Sequence, residues 1–83
     1  MIEDVLNERQ KTHGDYADHA RITQELKYVM RLHDYHDLSD CQKETLEMIA
    51  HKIGRILAGD PNHVDHWTDI AGYATLIERQ LSS

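Results

Sequence analysis

The chain has 83 residues, which is enough for one domain over residues 1–83 and too few for two. Its net charge of −6 argues against broad nucleic-acid binding, which needs a basic face. No apolar run approaches the roughly 20 residues that span a membrane, and the first residues lack the basic flank and apolar run of a signal peptide. With a single cysteine that excludes an internal disulfide, the composition predicts a cytoplasmic protein without membrane contact.

The first half of the chain carries the periodicity of two helices. The first is predicted from about Ile2 to Lys11, where apolar and charged residues occupy opposite sides. Gly14 is predicted to end it, and Asp15 to cap a second helix from about Tyr16 to Leu32. The buried stripe of that second helix is predicted to consist of Ile22, Leu26, Val29 and Met30.

Two further helices are predicted in the second half, after a polar, aperiodic loop at 33–38. Ser39 followed by Gln42 is the pattern of a capping box and predicts the start of the third helix. The segment 59–62 contains Gly and Pro and ends it, and a fourth helix is predicted from about Val64 to Leu81. Its main apolar face is predicted to comprise Trp67, Ile70, Ala74, Ile77 and Leu81. The fold class is therefore all-α, four helices in hairpins, and the small size favours a homodimer or larger bundle.

One side of the third helix carries chemistry-bearing residues at spacings of three, four and four. These are Glu44, Glu47, His51 and Arg55, which share a stripe opposite the apolar residues. One interpretation is a solvated face with charge pairing along the helix. The other is that the two glutamates hold a divalent cation while Lys52 and Arg55 contact phosphate oxygens.

The fourth helix combines two carboxylates with a glycine and an aromatic on one side. Asp65 and Asp69 are separated by four residues, and Gly72, Tyr73 and Leu76 follow on the same side. Glycine within a helix costs about 1 kcal/mol relative to alanine, so we expect Gly72 to serve either close helix packing or room for a ligand. The aspartates are predicted to complete an oxygen-rich Mg²⁺ site with the glutamates of the third helix.

A second polar patch lies near the start of the chain. Gly14 and Asp15 are explained by the turn between two helices, whereas Arg9, His13 and Tyr16 are not. We predict that Arg9 and Tyr16 contact the base or sugar of a ligand. Zinc binding by His63 and His66 is the weaker hypothesis, because no cysteine pattern or His-Glu-x-x-His motif supports it.

Four sequence strings resemble a family of small phage- and prophage-encoded proteins of undefined function. The strings are Glu8-Arg9, His13-Gly14-Asp15-Tyr16, Lys52 to Arg55, and Asp65 to Tyr73. That family is similar, more distantly, to the MazG-like all-α nucleoside triphosphate pyrophosphohydrolases. The sequence departs from those enzymes at Lys43-Glu44, where they have a glutamate pair, and at His66, where they have glutamate.

The resemblance implies hydrolysis of a (d)NTP to (d)NMP and pyrophosphate with Mg²⁺ or Mn²⁺. It implies that Glu47 and Asp69 are catalytic and that the cation is held by Glu44, Glu47, Asp65 and Asp69. Lys52 and Arg55 would stabilise the leaving pyrophosphate, and Tyr73 would stack on the base. Two alternatives stay open at this point. One is a catalytically inactive nucleotide-binding protein, and the other is a helical module that binds a host protein.

Overall fold

The computed structural model of the protein describes residues 1–83 and contains helices but no strands. Its four α-helices are α1 (Ile2–His13), α2 (Tyr16–Arg31), α3 (Asp40–Ala58) and α4 (Val64–Ser82). A short 3₁₀ helix at Asp34–Asp37 connects α2 to α3. None of these helices has the length and apolar character needed to cross a membrane. The all-α, four-helix prediction is confirmed.

Local sequence signals place the helix ends well. The Ser39 hydroxyl accepts the backbone N–H of Gln42 while the Gln42 side chain accepts the N–H of Ser39, so the capping box at the start of α3 is present. Asp15 occupies the N-cap position of α2, but its carboxylate makes no capping hydrogen bond. Most of the predicted loop at 33–38 forms the 3₁₀ helix. A helix of four residues is too short to show a periodic pattern of apolar residues in the sequence.

Helix α3 is the centre of the fold, because α2 and α4 both pack along it and α1 contacts its C-terminal half. The contact with α2 is close at Gly54. A Cβ atom on this residue would lie 2.6 Å from the Thr23 hydroxyl and 2.9 Å from Nδ1 of His19. Both neighbours are buried. A side chain at this position would therefore push α2 away from α3.

The turn after α1 is held against the end of α3 by backbone contact. Gly14 has φ +82°, a conformation that other residues rarely adopt. A Cβ atom on it would overlap the carbonyl group of Ala58. The Thr12 carbonyl next to it accepts the backbone N–H of Asp60 at 3.0 Å and the ring N–H of His66 at 2.9 Å. These contacts join the ends of α1 and α3 to the start of α4.

The core of the single chain is thin, and the placement of Trp67 on a buried apolar face is wrong. Ala50 is the only apolar side chain that is buried. Trp67, predicted to lie on the apolar face of α4, is 53% exposed and donates its indole N–H to the Pro61 carbonyl at 2.8 Å. A Cβ atom on Gly72 would meet nothing within 4 Å, so within the chain this glycine serves no close helix packing. The predicted apolar stripes are half-buried or exposed.

Candidate functional site

A cavity lies where the end of α1, the start of α2 and the C-terminal half of α3 meet. Its volume is about 420 Å³, within the range of small-molecule sites. It brings together three predicted ligand contacts from three helices: Arg9, Tyr16 and Arg55. The other lining residues are Leu6, Gln10, His13, Gly14, Asp15, His19 and His51.

The cavity is basic although the protein is acidic. Neither Arg9 nor Arg55 forms an ion pair within the chain. Asp15 is the only carboxylate among the lining residues. Two unpaired guanidinium groups at one concave surface attract an anion, and their planar forks suit phosphate or carboxylate oxygens. The unpaired arginines therefore give the cavity a positive charge that favours anions over cations.

Three imidazoles line the same cavity: His13, His19 and His51. The rings of His19 and His51 meet edge to face with centroids 4.4 Å apart. Burial lowers the pKa of His51 to about 4, with His19 and Arg55 adding to the shift. Burial and Arg55 likewise lower the pKa of His13 to about 4, and both causes also lower the pKa of His19. At neutral pH these rings are uncharged, so each can accept or donate a hydrogen bond.

These pKa shifts predict an acid-labile fold. The unfolded chain takes up protons on His13 and His51 near pH 6.5, whereas the folded chain resists until about pH 4. Stability is therefore complete above about pH 6.5 and declines as pH falls toward 4. Thermal unfolding followed by circular dichroism should show this decline, with a shallower slope for His51→Gln. The control variant His33→Gln changes an exposed turn residue and should keep the wild-type slope. Equal slopes in all three proteins would contradict the lowered pKa of His51.

Lys52 and Asp69 lie apart from this cavity's lining and bind each other. Lys52 is only 7% exposed, and its ammonium group is 2.8 Å from Oδ2 of Asp69. This hydrogen bond holds the pKa of Asp69 below its ordinary value of 3.8. The predicted roles assign Lys52 to phosphate and Asp69 to metal and catalysis. In the structure the two side chains join α3 to α4.

Loss of the Asp69 carboxylate should destabilise the fold because it leaves a buried ammonium group without a partner. We expect Asp69→Ala to lower the melting temperature by several degrees in thermal unfolding at pH 7. The matched control is Asp65→Ala, since the Asp65 side chain is 75% exposed and contacts only His63, at 3.5 Å. A decrease of the same size in both variants would show that the Lys52–Asp69 pair stabilises the fold no more than the exposed Asp65 carboxylate does.

The four predicted metal carboxylates do not converge in the single chain. Glu47 accepts the Tyr35 hydroxyl and lies 3.9 Å from the Lys27 ammonium group, toward α2. Glu44 instead lines a groove between α3 and α4, together with Tyr73. Asp65 and Asp69 contact His63 and Lys52, respectively. No group of three His, Cys, Asp or Glu side chains is placed to hold a metal ion. The residues present therefore do not fit an Mg²⁺ or Zn²⁺ centre within one chain.

Histidines have structural roles in the second half of the chain. His66, which occupies the position of a glutamate in the MazG-like motif, is 1% exposed and hydrogen-bonded to Thr12. The ring centroids of His63 and His66 are 4.8 Å apart, and His13 approaches His66 from α1 at 5.3 Å. These rings pack α4 against the end of α1.

Comparison with known proteins supplies a family but no activity. Residues 2–81 match the model of the family described as a domain of unknown function, DUF6378. The chain belongs to this family. Neither a curated protein nor a solved structure matches the chain. The DUF6378 match gives no support to a relationship with the MazG-like enzymes, so the argument for function depends on the geometry of the cavity.

Sequence reasoning overlooked His19 as a cavity residue. A signal was present, because His19 follows Tyr16 by three residues on α2 and therefore shares its face. His51 was placed on a stripe with Arg55, and both line the cavity. The two glutamates of the same stripe point elsewhere, since α2 covers Glu47 and leaves Glu44 exposed.

Proposed function

We propose that the protein binds a phosphorylated small molecule, specifically a nucleotide, in the cavity formed by α1, α2 and α3. The observation that carries the proposal is the meeting of Arg9 and Arg55, both without an ion-pair partner, at one concave surface. Charge-assisted hydrogen bonds from guanidinium groups to phosphate are among the stronger polar contacts in proteins. Arg9 and Arg55 hold the phosphates in this proposal.

The remaining lining residues favour a nucleotide over inorganic phosphate. Tyr16 is 78% exposed at the cavity and offers an aromatic face on which a base stacks. Asp15 makes no capping hydrogen bond, so its carboxylate is free to accept from ribose hydroxyls or a base amino group. The imidazoles of His13, His19 and His51 supply hydrogen bonds between these two ends. The cavity thus offers separate groups for phosphate, sugar and base.

Isothermal titration calorimetry with a panel of ribo- and deoxyribonucleoside triphosphates tests this function. Pyrophosphate is included as the phosphate end alone, and unphosphorylated nucleosides serve as the negative control. We expect stoichiometric binding of one or more triphosphates, weaker binding of pyrophosphate and none of the nucleosides. The absence of binding by every triphosphate would remove the proposal.

Hydrolysis of a (d)NTP stays a prediction from the resemblance alone. In the single chain Asp69 is paired with Lys52, and Glu47 contacts Tyr35 and Lys27. Incubation of the protein with each triphosphate and Mg²⁺ or Mn²⁺, followed by a pyrophosphate assay, tests it directly. An increase in melting temperature on adding Mg²⁺ that Asp69→Ala abolishes would indicate a metal site. Without either effect, nucleotide binding is the better-supported function.

A further inference from the structure

The single chain exposes more surface than a folded protein of its size. Its accessible surface is 6099 Å² for a mass of 9.7 kDa. The scaling law for folded monomers gives about 5,100 Å² at this mass. The excess of about 1,000 Å² is close to the roughly 800 Å² that each partner contributes to a stable protein–protein interface.

The shape of the chain agrees with its surface area. The radius of gyration is 14.3 Å, whereas a compact domain of this length has about 12 Å. The principal extents are 43 × 27 × 22 Å, so the molecule is elongated. A layer of helices with one uncovered side has this shape, and the thin core described above is its consequence.

An uncharged groove runs between α3 and α4, on a different part of the surface from the basic cavity. Its volume is about 340 Å³, and none of its seven lining residues is charged, in a chain with 29% charged residues. The five apolar members are Leu38, Leu46, Ile49, Ala74 and Ile77. Leu46 is 41% exposed, and Ala74 is also exposed. An uncharged apolar groove of this kind is typical of an interface.

We propose that a second copy of this chain covers the groove. An interface that completes the core must form whenever the chain folds, and the protein always made together with the chain is the chain itself. In a two-fold arrangement the same patch meets itself, so α3 and α4 of each copy together form a four-helix bundle with the groove residues at its centre. The basic cavity stays outside this interface.

Sedimentation equilibrium of the wild type and two glutamate variants tests the proposal. We expect a wild-type mass twice the 9.7 kDa of one chain. Ala74→Glu places two unpaired carboxylates in the interface and should weaken dimerisation at least about 100-fold. Val5→Glu introduces the same carboxylate on α1, outside the groove, and should leave the dimer intact.

Three results would overturn the proposal. They are a wild type that is monomeric at every concentration, dimerisation that Ala74→Glu does not weaken, and equal weakening by Ala74→Glu and Val5→Glu. If circular dichroism shows that Ala74→Glu does not fold, hydroxyl-radical footprinting of the wild type replaces it. Leu46 and Ile49 should then gain protection as the concentration rises through the dimerisation range, and unchanged labelling of both would count against a second copy in the groove.

Discussion

Replacement of Gly14 by alanine is expected to unfold the protein or to leave it barely stable. The residue has φ +82° and ψ −174°, an extended positive-φ conformation that is almost restricted to glycine and costs a residue with a Cβ about 1–3 kcal/mol. The new methyl group would also overlap the Ala58 carbonyl, and such overpacking typically costs another 1–3 kcal/mol. Since a small domain has a total stability near the lower end of 5–15 kcal/mol, we expect the melting temperature to fall by more than about 15 °C.

Gly72→Ala is the matched control for this prediction. It makes the same chemical change within α4, where a Cβ atom would meet nothing within 4 Å. We expect it to stabilise the protein by up to about 1 kcal/mol, because alanine favours the helix over glycine. Differential scanning calorimetry of both variants would measure the two effects with opposite signs. A wild-type melting temperature for Gly14→Ala would contradict the close backbone contact between α1 and α3.

Replacement of Arg55 by alanine is expected to weaken nucleotide binding by about 10- to 100-fold. This loss of affinity corresponds to the free energy of one or two charge-assisted hydrogen bonds. The fold should survive, because the guanidinium group makes no ion pair within the chain. Removing this charge also relieves one cause of the lowered pKa of His13 and His51. The affinity is measured by calorimetry with the triphosphate that binds the wild type.

Arg21→Ala controls for the loss of one positive charge from an acidic protein. Arg21 lies on α2, exposed, with Asp18 and Glu25 as its ion-pair partners at 4.0 and 3.5 Å. We expect its affinity to stay within about two-fold of the wild type, because exposed charges act weakly through water and salt. Equal losses for Arg55→Ala and Arg21→Ala would indicate non-specific attraction in place of a site.

The positions at which the helices begin and end follow from local sequence. Periodicity places both ends of α2 and α4 within one residue, and Ser39 with Gln42 starts α3 because both hydrogen bonds of the capping box lie within four residues of chain. Gly14 is correct as the end of α1 for the same kind of reason. Signals that act over one helical turn can be read without knowledge of the tertiary fold.

Local sequence does not predict which neighbouring element packs against each helix face. Trp67 was assigned to an apolar face, and close packing was one of two roles predicted for Gly72, but Trp67 is 53% exposed and a Cβ atom on Gly72 would meet nothing within 4 Å. Lys52 and Asp69 were assigned separately to a ligand and a metal, whereas their ionic contact needs the specific crossing of α3 and α4. Pairings between distant segments depend on packing, which residue type and spacing do not encode.

The residues predicted for the candidate site also depend on packing between distant segments. Arg9 and Tyr16 were selected because the turn between two helices did not explain them, and Arg55 was selected from a stripe on the third helix; the fold brings all three to one cavity. Their role in binding stays a prediction. Glu44 and Tyr73 were selected in part for the faces they share with other polar residues, and they line a second groove of α3 and α4, distinct from the uncharged one.

The cavity between α1, α2 and α3 is the proposed nucleotide-binding site. The most direct test is a nuclear magnetic resonance titration of the ¹⁵N-labelled protein with the triphosphate that binds in calorimetry. We expect the largest amide shift changes around Arg9, His13–Tyr16 and His51–Arg55, with small changes at Glu44 and Tyr73. Changes centred on Glu44 and Tyr73, or spread evenly over the surface, would contradict the assignment of this cavity.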